Sequence, residues 1–414
     1  MINTNKRSPV QVLYLLSGVV LEHADNILFG LFAMDIIQTF FAKNTEKAAL
    51  FSFAAFALYF FVRPIGALIF GLIGDKIGRS AALLSSMGLM SVATLGVGLL
   101  PSFSSIGIVA TVLFLSFRAM QGISVGGEYS SAMTYSFEVS PPDRKNFYGS
   151  MIISATHFGG VIAAMMVMVY SQNFRISFIL FGLVGVVSLI GRAFLKETHS
   201  PKASSSNSSN LDGAIALFIK YKYVCLKIMG LASCLGGIFY AMLIYFNHLM
   251  HGISSINPEY INVSNFAILI LWCVLTPVVG FVIDAKKLSH KKVMRIGLLG
   301  IALLSFPMMY FIQYSYSFYS IVFMQVVISF FHMLYCTPTP FVMAAAVEEN
   351  ERNTIVAISY ALGSCLSAGL VQFICYFMHN TFGIIGISFV FIGFAIIGFF
   401  SLNLHNYDYK NDKR

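Results

Sequence analysis

The chain has 414 residues, of which 57% are hydrophobic, 15% aromatic and only 10% charged, and its formal net charge is +9. Soluble domains carry about 25% charged residues, so this composition, with a mean hydropathy of +0.80, excludes a soluble globular domain and implies an all-α polytopic membrane protein. It also removes nucleic-acid binding as the explanation of the positive charge.

Apolar runs in chain order predict twelve membrane helices at about 10–38, 48–73, 81–100, 106–137, 147–170, 175–195, 223–249, 261–284, 293–313, 317–346, 354–378 and 384–404, since a bilayer needs about 20 residues per helix. Lys6 and Arg7 precede the first run, but that run is long, carries Glu22 and Asp25 and has no small-residue cleavage site, so it reads as a first helix rather than a signal peptide. On that helix Glu22, Asp25, Asn26 and Phe29 recur at i, i+3, i+4 and i+7, which puts two carboxylates and an amide on one face. Two carboxylates sharing a low-dielectric site can hold one proton between them, the property a proton-coupling site needs. The competing reading is structural: Glu22 or Asp25 pairs with Arg63 of helix 2 or Arg118 of helix 4.

Helix 4 carries the stretch Arg118 to Glu128, RAMQGISVGGE. An arginine and a glutamate at membrane depth must face protein or a water-filled cavity. Arg118, Gln121, Gly122, Val125 and Tyr129 share a face on a continuous helix, with Glu128 on its flank. Gly122 and Gly126 have the small-xxx-small spacing that admits a close neighbouring helix. Such a polar, glycine-notched stripe suits a solute pathway.

After helix 6 the serine- and asparagine-rich stretch Pro201 to Gly213 reads as a flexible linker. It divides residues 1–200, an N-terminal six-helix bundle, from residues 220–404, a C-terminal one, with 201–219 between them and a tail at 405–414. The halves resemble repeats: GLIGDKIGRS at Gly71 to Ser80 aligns with GFVIDAKKLSHKK at Gly280 to Lys292, setting Asp75 over Asp284 at 209 positions, and Asp143-Arg144 recurs as Glu351-Arg352 at 208. In the second half, Pro338 and Pro340 predict a kink in helix 10, and Tyr240, Tyr245 and Asn247 of helix 7 are candidates for cavity lining or for core packing. His157, His248 and His332 lie in or near apolar helices, where interhelical hydrogen bonding and proton relay are the two readings.

If both termini are cytoplasmic, the inner loops hold thirteen basic residues, among them Lys76, Arg79, Arg144, Lys145, Lys286, Lys287, Lys291, Lys292 and Arg352, against Lys43, Lys47 and Arg175 outside. The positive-inside rule therefore predicts that orientation. The six cysteines show no metal-ligand spacing, and the glycines near Asp75 follow no strand and precede no Walker-type lysine. No metal, nucleotide or other cofactor is expected, and no nucleophile–base cluster points to an enzyme.

GLIGDKIGRS, preceded by Arg63-Pro64, resembles the loop 2–3 signature of the major facilitator superfamily. RAMQGISVGGE with Tyr129 is similar to its metabolite:proton symporter branch, which includes proline/glycine-betaine, α-ketoglutarate, citrate and shikimate transporters. Glu22, Asp25 and Gly30 fit a first-helix pattern of that branch, as do Pro142 to Lys145 after helix 4 and Lys196-Glu197-Thr198 after helix 6. The resemblance implies a twelve-helix carrier in a bacterial inner membrane that works as a monomer by alternating access. It implies proton-coupled symport of a small zwitterion or organic acid, with Arg118 facing the central cavity to bind a carboxylate. It also implies an inner gate at Gly71, Asp75, Gly78, Arg79, Arg144 and Asp284. The substrate and proton pathway is then assigned to Glu22, Asp25, Asn26, Arg63, Arg118, Gln121 and Glu128. Where the branch has two aromatics between the acids of helix 1, this chain has His23 and Ala24, and Asn26 replaces phenylalanine. Fewer aromatic faces beside the site count against betaine, since quaternary ammonium groups are commonly held by them. A uniporter or exporter of the same fold is the alternative within transport, and a non-transporting solute receptor is the alternative outside it.

Overall fold

The computed structural model describes residues 9–42, 48–76, 79–126, 128–170, 173–193, 218–252, 257–347 and 352–404. The linker at 201–213, the Lys196-Glu197-Thr198 segment, Gly78 and the tail at 405–414 lie outside them. So do the side chains of Asp75, Arg79 and Glu128, whose backbones are helical.

Every predicted span is a helical rod, and no strand occurs among the described residues. This is the expected outcome where no water satisfies backbone polar groups and each helix must do so internally. Helix 1 is Pro9–Leu31 continued by Ala33–Phe40, helix 2 is Ala48–Phe61 continued by Arg63–Lys76, and helix 3 is Arg79–Leu99. Helix 4 is Ile108–Val125 continued by Glu128–Val139, helix 5 is Lys145–Val169 and helix 6 is Phe174–Ala193. In the second half, helix 7 is Lys222–Tyr240, a π turn at Ala241–Tyr245, then Phe246–His251; helix 8 is Pro258–Ala285 and helix 9 is His290–Tyr314. Helix 10 is Phe318–Cys336 with Thr339–Ala344, helix 11 is Arg352–Ser367 with Val371–Phe382, and helix 12 is Ile385–Asn403.

The interruptions have local causes. Helix 2 breaks at Val62 because Pro64 follows, and helix 10 ends at Cys336 and restarts at Thr339 around Pro338 and Pro340, as the sequence predicted. Helix 4 departs from the predicted continuous helix. It ends at Val125, where the Gly126 N–H bonds back three residues to Ile123 O at 3.2 Å. The stripe from Arg118 to Tyr129 is therefore not one face: Arg118 and Gln121 bond residues of helices 1 and 3, whereas Tyr129 lies between His23 of helix 1 and Tyr360 of helix 11.

Nine helices among the described residues are long and apolar enough to cross a membrane, and Leu84–Leu99 and Phe174–Leu189 are shorter apolar ones. Large apolar side chains such as Leu99, Val112, Leu303, Phe330 and Phe400 stand exposed around the outside, the surface a bilayer would cover. Packing repeats across the two halves. Helix 1 lies on helix 5 as helix 7 lies on helix 11, helix 3 on helix 6 as helix 9 on helix 12, and helix 3 on helix 4 as helix 9 on helix 10. Between the halves, helix 5 packs along helix 8 and helix 11 along helix 2, again equivalent positions. Six-helix pseudo-repeats about a common axis account for all of these pairs.

Candidate functional site

Glycine fixes the first half of the site. A Cβ on Gly122 would stand 2.2 Å from Tyr59 O, one on Gly126 2.3 Å from Arg63 O and from Ala67 N, and one on Gly66 only 1.8 Å from Ile123 O. Helices 2 and 4 thus meet backbone to backbone, the close approach predicted from the glycine spacing. That contact brings Tyr59 and Arg63 beside Arg118.

Arg118 is fully buried. Its Nη1 donates to Gln121 Oε1 at 2.8 Å and lies 3.7 Å from Asp25 Oδ2, and its Nη2 reaches Asn26 Oδ1 at 3.4 Å. The guanidinium lies over the rings of Phe29 and Tyr59, with centroids 4.1 and 4.8 Å away, where the ring faces favour a cation. Asp25 Oδ1 accepts from Gln121 Nε2 at 2.9 Å and from Thr94 Oγ1 at 2.8 Å. The face predicted on helix 1 is therefore real: Asp25, Asn26 and Phe29 all meet Arg118. Glu22, one turn away, pairs instead with Arg63, Oε1 to Nη2 at 3.8 Å.

A narrow chamber of about 30 Å³ lies between the halves, lined from helices 1, 2, 4 and 5 on one side and helices 7, 10 and 11 on the other. Arg63, Phe60, Tyr129, Phe239, Tyr240 and Tyr360 are on its wall, with His23, His157 and His332. Arg118 is not on that wall, contrary to the expectation that it faces the central cavity. The kink at Val62 and the glycine contact place Arg63 there instead, and Arg118 lies against the rings of Phe29 and Tyr59. Asn26 connects the two layers, its Nδ2 donating to Tyr240 OH at 3.0 Å. Glu22 and Asp25 also line a second cavity inside the first half, with Ser86, Ser91, Thr94 and Ser124.

The two halves touch at both ends of the chamber. At the end where the basic loops gather, Asp284 of helix 8 accepts from the backbone N–H of Phe147 at 2.8 Å and from Asn146 Nδ2 at 2.6 Å, which sets an anion on the positive end of helix 5. His290 Nε2 lies 3.1 Å from Asn146 Nδ2, and its ring stacks on Phe341 at 4.2 Å. Arg352 lies over Phe137, and its Nε donates to the carbonyls of Ala344 and Val347. Arg144, expected at this gate, is exposed beside Asp143 at 3.9 Å. It occupies the N-cap position of helix 5 without a side-chain cap bond, and Asn146, two residues on, makes the contact between halves. At the opposite end Gly30 abuts Ile244 of the π turn, where a Cβ would stand 2.2 Å from Ile244 Cδ1. Phe53 packs against Tyr245, His248, Phe373 and Tyr376.

Several of these residues carried no strong sequence signal. Asn146 and Tyr360 lie in no motif, and His290 falls in the repeated stretch Gly280 to Lys292 without being singled out there. Tyr240 lines the chamber as the sequence allowed, but Tyr245 bonds His379 at 3.1 Å and Asn247 accepts from Asn265 at 2.7 Å. Trp272 lies behind the wall, 5.0 Å from Phe239 and 5.4 Å from His157.

Two pseudo-repeated bundles touching at both ends of a chamber define a secondary transporter rather than an enzyme. The chain belongs to the Major Facilitator Superfamily, whose sequence pattern matches residues 15–372. It is 28% identical over 402 residues to a Staphylococcus aureus protein provisionally assigned as a proline/betaine transporter, covering 90% of this chain and 83% of the relative. It is 30% identical over 312 residues to the proline/betaine transporter of Escherichia coli K12, covering 70% of this chain and 62% of the relative. Among solved structures it resembles the proton:xylose symporter XylE, with TM-score 0.75 and 14% identity, covering 95% of this chain and 94% of that one. The human organic anion transporter MFSD10 gives TM-score 0.71 at 14% identity, covering 96% and 100%. At these identities the structural likeness speaks to fold alone.

Proposed function

We propose that the chain is a proton-coupled symporter of a small zwitterionic or carboxylate metabolite, carried in the chamber between residues 1–200 and 220–404 as these two bundles rock about it. The observation that carries this reading is the layered arrangement of the first half. Arg63 lines the chamber, and its Nε and Nη2, which donate no hydrogen bond among the described residues although Nη2 lies 3.8 Å from Glu22 Oε1, form a fork for a carboxylate. One layer behind it, Asp25 sits in a buried network with Arg118, Gln121 and Thr94, and Asn26 links that network to the wall through Tyr240.

In this scheme Asp25 is the proton site. A proton on Asp25 removes the ion pair with Arg118, frees the guanidinium to turn, and through Asn26 alters the hydroxyl of Tyr240 at the substrate. Glu22 does the same beside Arg63. Substrate and proton then bind in layers that share one element, helix 1, which is what coupling requires. The likeness to proline/betaine transporters supports a small zwitterion, and the basic loops support cytoplasmic termini, with the Asp284 contact as the inner gate.

The test is uptake of labelled proline, glycine betaine and α-ketoglutarate into proteoliposomes with and without an imposed inward proton gradient, beside Asp25→Asn. Gradient-driven accumulation that Asp25→Asn reduces to simple equilibration is the expected result. Equilibration indifferent to the gradient in the unaltered protein would leave a facilitator.

A further inference from the structure

His157 and His332 on the chamber wall belong to none of the family signatures, His23 departs from one, and their hydrogen bonds fix what they present to a ligand. Backbone carbonyls only accept, so the imidazole nitrogen that faces one must carry the proton. His332 Nε2 donates to Leu235 O at 3.2 Å. Its other nitrogen, Nδ1, is buried and has no hydrogen-bond partner among the described residues. His23 Nδ1 donates in the same way to Val19 O at 3.1 Å. His157 Nδ1 lies 3.5 Å from Thr276 Oγ1, whose own proton goes to Trp272 O at 2.6 Å, so Nδ1 is the donor of that contact too. In the neutral ring the nitrogen left over is an acceptor. Three chamber histidines therefore each spend their donor on the protein, and His332 holds an acceptor lone pair that nothing satisfies.

A buried acceptor without a partner is costly, and a ligand that supplies the missing proton is favoured over one of the same shape that does not. The cation of the chamber, Arg63, stands on helix 2 of the first half, and His332 stands on helix 10 of the second. A zwitterion laid across the chamber sets its carboxylate on Arg63 and its ammonium toward the histidines. We propose that His332, with His157, selects small zwitterions whose ammonium carries N–H bonds, an amino or imino acid, over quaternary betaines, which have none. The aromatic rings of Phe239, Tyr240 and Tyr360 hold the cationic end in either case, so the discrimination falls on the histidine acceptors. This inference rests on the zwitterion reading above and narrows it.

A series that removes N–H bonds one at a time tests it. L-proline, N-methyl-L-proline and N,N-dimethyl-L-proline carry two, one and no ammonium hydrogens on one skeleton, and calorimetric titration of the purified protein reads their affinities without transport. Affinity is expected to fall along the series, by about tenfold or more from first to last, the scale of one unmet buried hydrogen bond. His332→Leu is expected to flatten the series, whereas His332→Gln, whose amide can still donate to Leu235 O and present an oxygen, keeps the order. Equal or tighter binding of the dimethyl compound overturns the selectivity and leaves the zwitterion reading standing, as does a series that His332→Leu does not alter. Failure of all three to bind overturns both.

Discussion

Asp284 and Asn146 join the two halves of the molecule at the basic end, through a side-chain hydrogen bond of 2.6 Å that the Phe147 backbone N–H reinforces at 2.8 Å. The carboxylate closes that end by capping a helix that belongs to the other half, so every term it contributes is present only while the end is shut. Removing it should cost the closed state about 1–3 kcal/mol and shift the population toward the state open at that end. Cys336 lines the chamber and is buried, which makes it a reporter once the other five cysteines are replaced. Asp284→Ala is expected to raise the maleimide reaction rate of Cys336 about tenfold. An unchanged rate would show that the contact is incidental to closure.

The contact between helices 2 and 4 predicts which glycines tolerate a methyl group. At Gly122 and Gly66 the added Cβ would meet backbone atoms, Tyr59 O and Ile123 O, at 2.2 and 1.8 Å, and backbone cannot swing aside as a side-chain end can. Gly122→Ala and Gly66→Ala should each destabilise the protein by about 1–3 kcal/mol, the usual cost of overpacking. Gly393, in helix 12, has nothing within 4 Å of a built Cβ, and Gly393→Ala should be neutral or slightly stabilising. Thermal unfolding in detergent compares them, and equal midpoints for all three would refute the close approach.

The sequence made the class of fold legible because the bilayer imposes long apolar helices, and repeated loop signatures survive where helices must pack closely. It made Asp25, Asn26 and Phe29 legible as one face because a helix of known period fixes their direction. What it did not convey is which arginine faces the chamber. That depends on two departures from ideal geometry, the kink at Val62 and the end of helix 4 at Val125, each shifting register by a fraction of a turn. The histidines were ambiguous for a different reason: a buried histidine in an apolar helix looks the same in sequence whether its free nitrogen meets protein or cavity. Asn146 stayed hidden because its partner Asp284 lies 138 positions away in the other repeat.

The buried network around Arg118 predicts an asymmetry between single and double substitutions. Arg118→Gln leaves Asp25 with no cation in a site of low dielectric, and a stranded charge of this kind costs about 3–5 kcal/mol. Asp25→Asn in the same chain removes that charge, while its amide can still bond Gln121 and Thr94. The double variant Asp25→Asn/Arg118→Gln should therefore unfold at a higher temperature than Arg118→Gln alone, recovering more than half of the loss. Additive losses in the two single variants would mean that the 3.7 Å pair carries no net coupling.

Arg63 and Arg118 should separate substrate binding from coupling, because only one of them reaches the chamber. Arg63→Lys keeps the charge opposite Glu22 but replaces a planar fork with a point charge. It is expected to weaken binding of a carboxylate ligand about tenfold or more, with little change in stability. Arg118→Lys sits one layer behind, under Phe29 and Tyr59, and should leave equilibrium affinity within about threefold, since no bond to ligand is lost. Its effect belongs to the proton: with a shorter, more strongly hydrated cation facing Asp25, gradient-driven accumulation should fall while exchange of internal for external substrate persists. Titration calorimetry on both variants, followed by paired accumulation and exchange assays, decides between this division and a direct role for Arg118. If Arg118→Lys abolishes binding and Arg63→Lys does not, Arg118 rather than Arg63 takes the carboxylate, and the chamber must open differently around substrate than it closes without it.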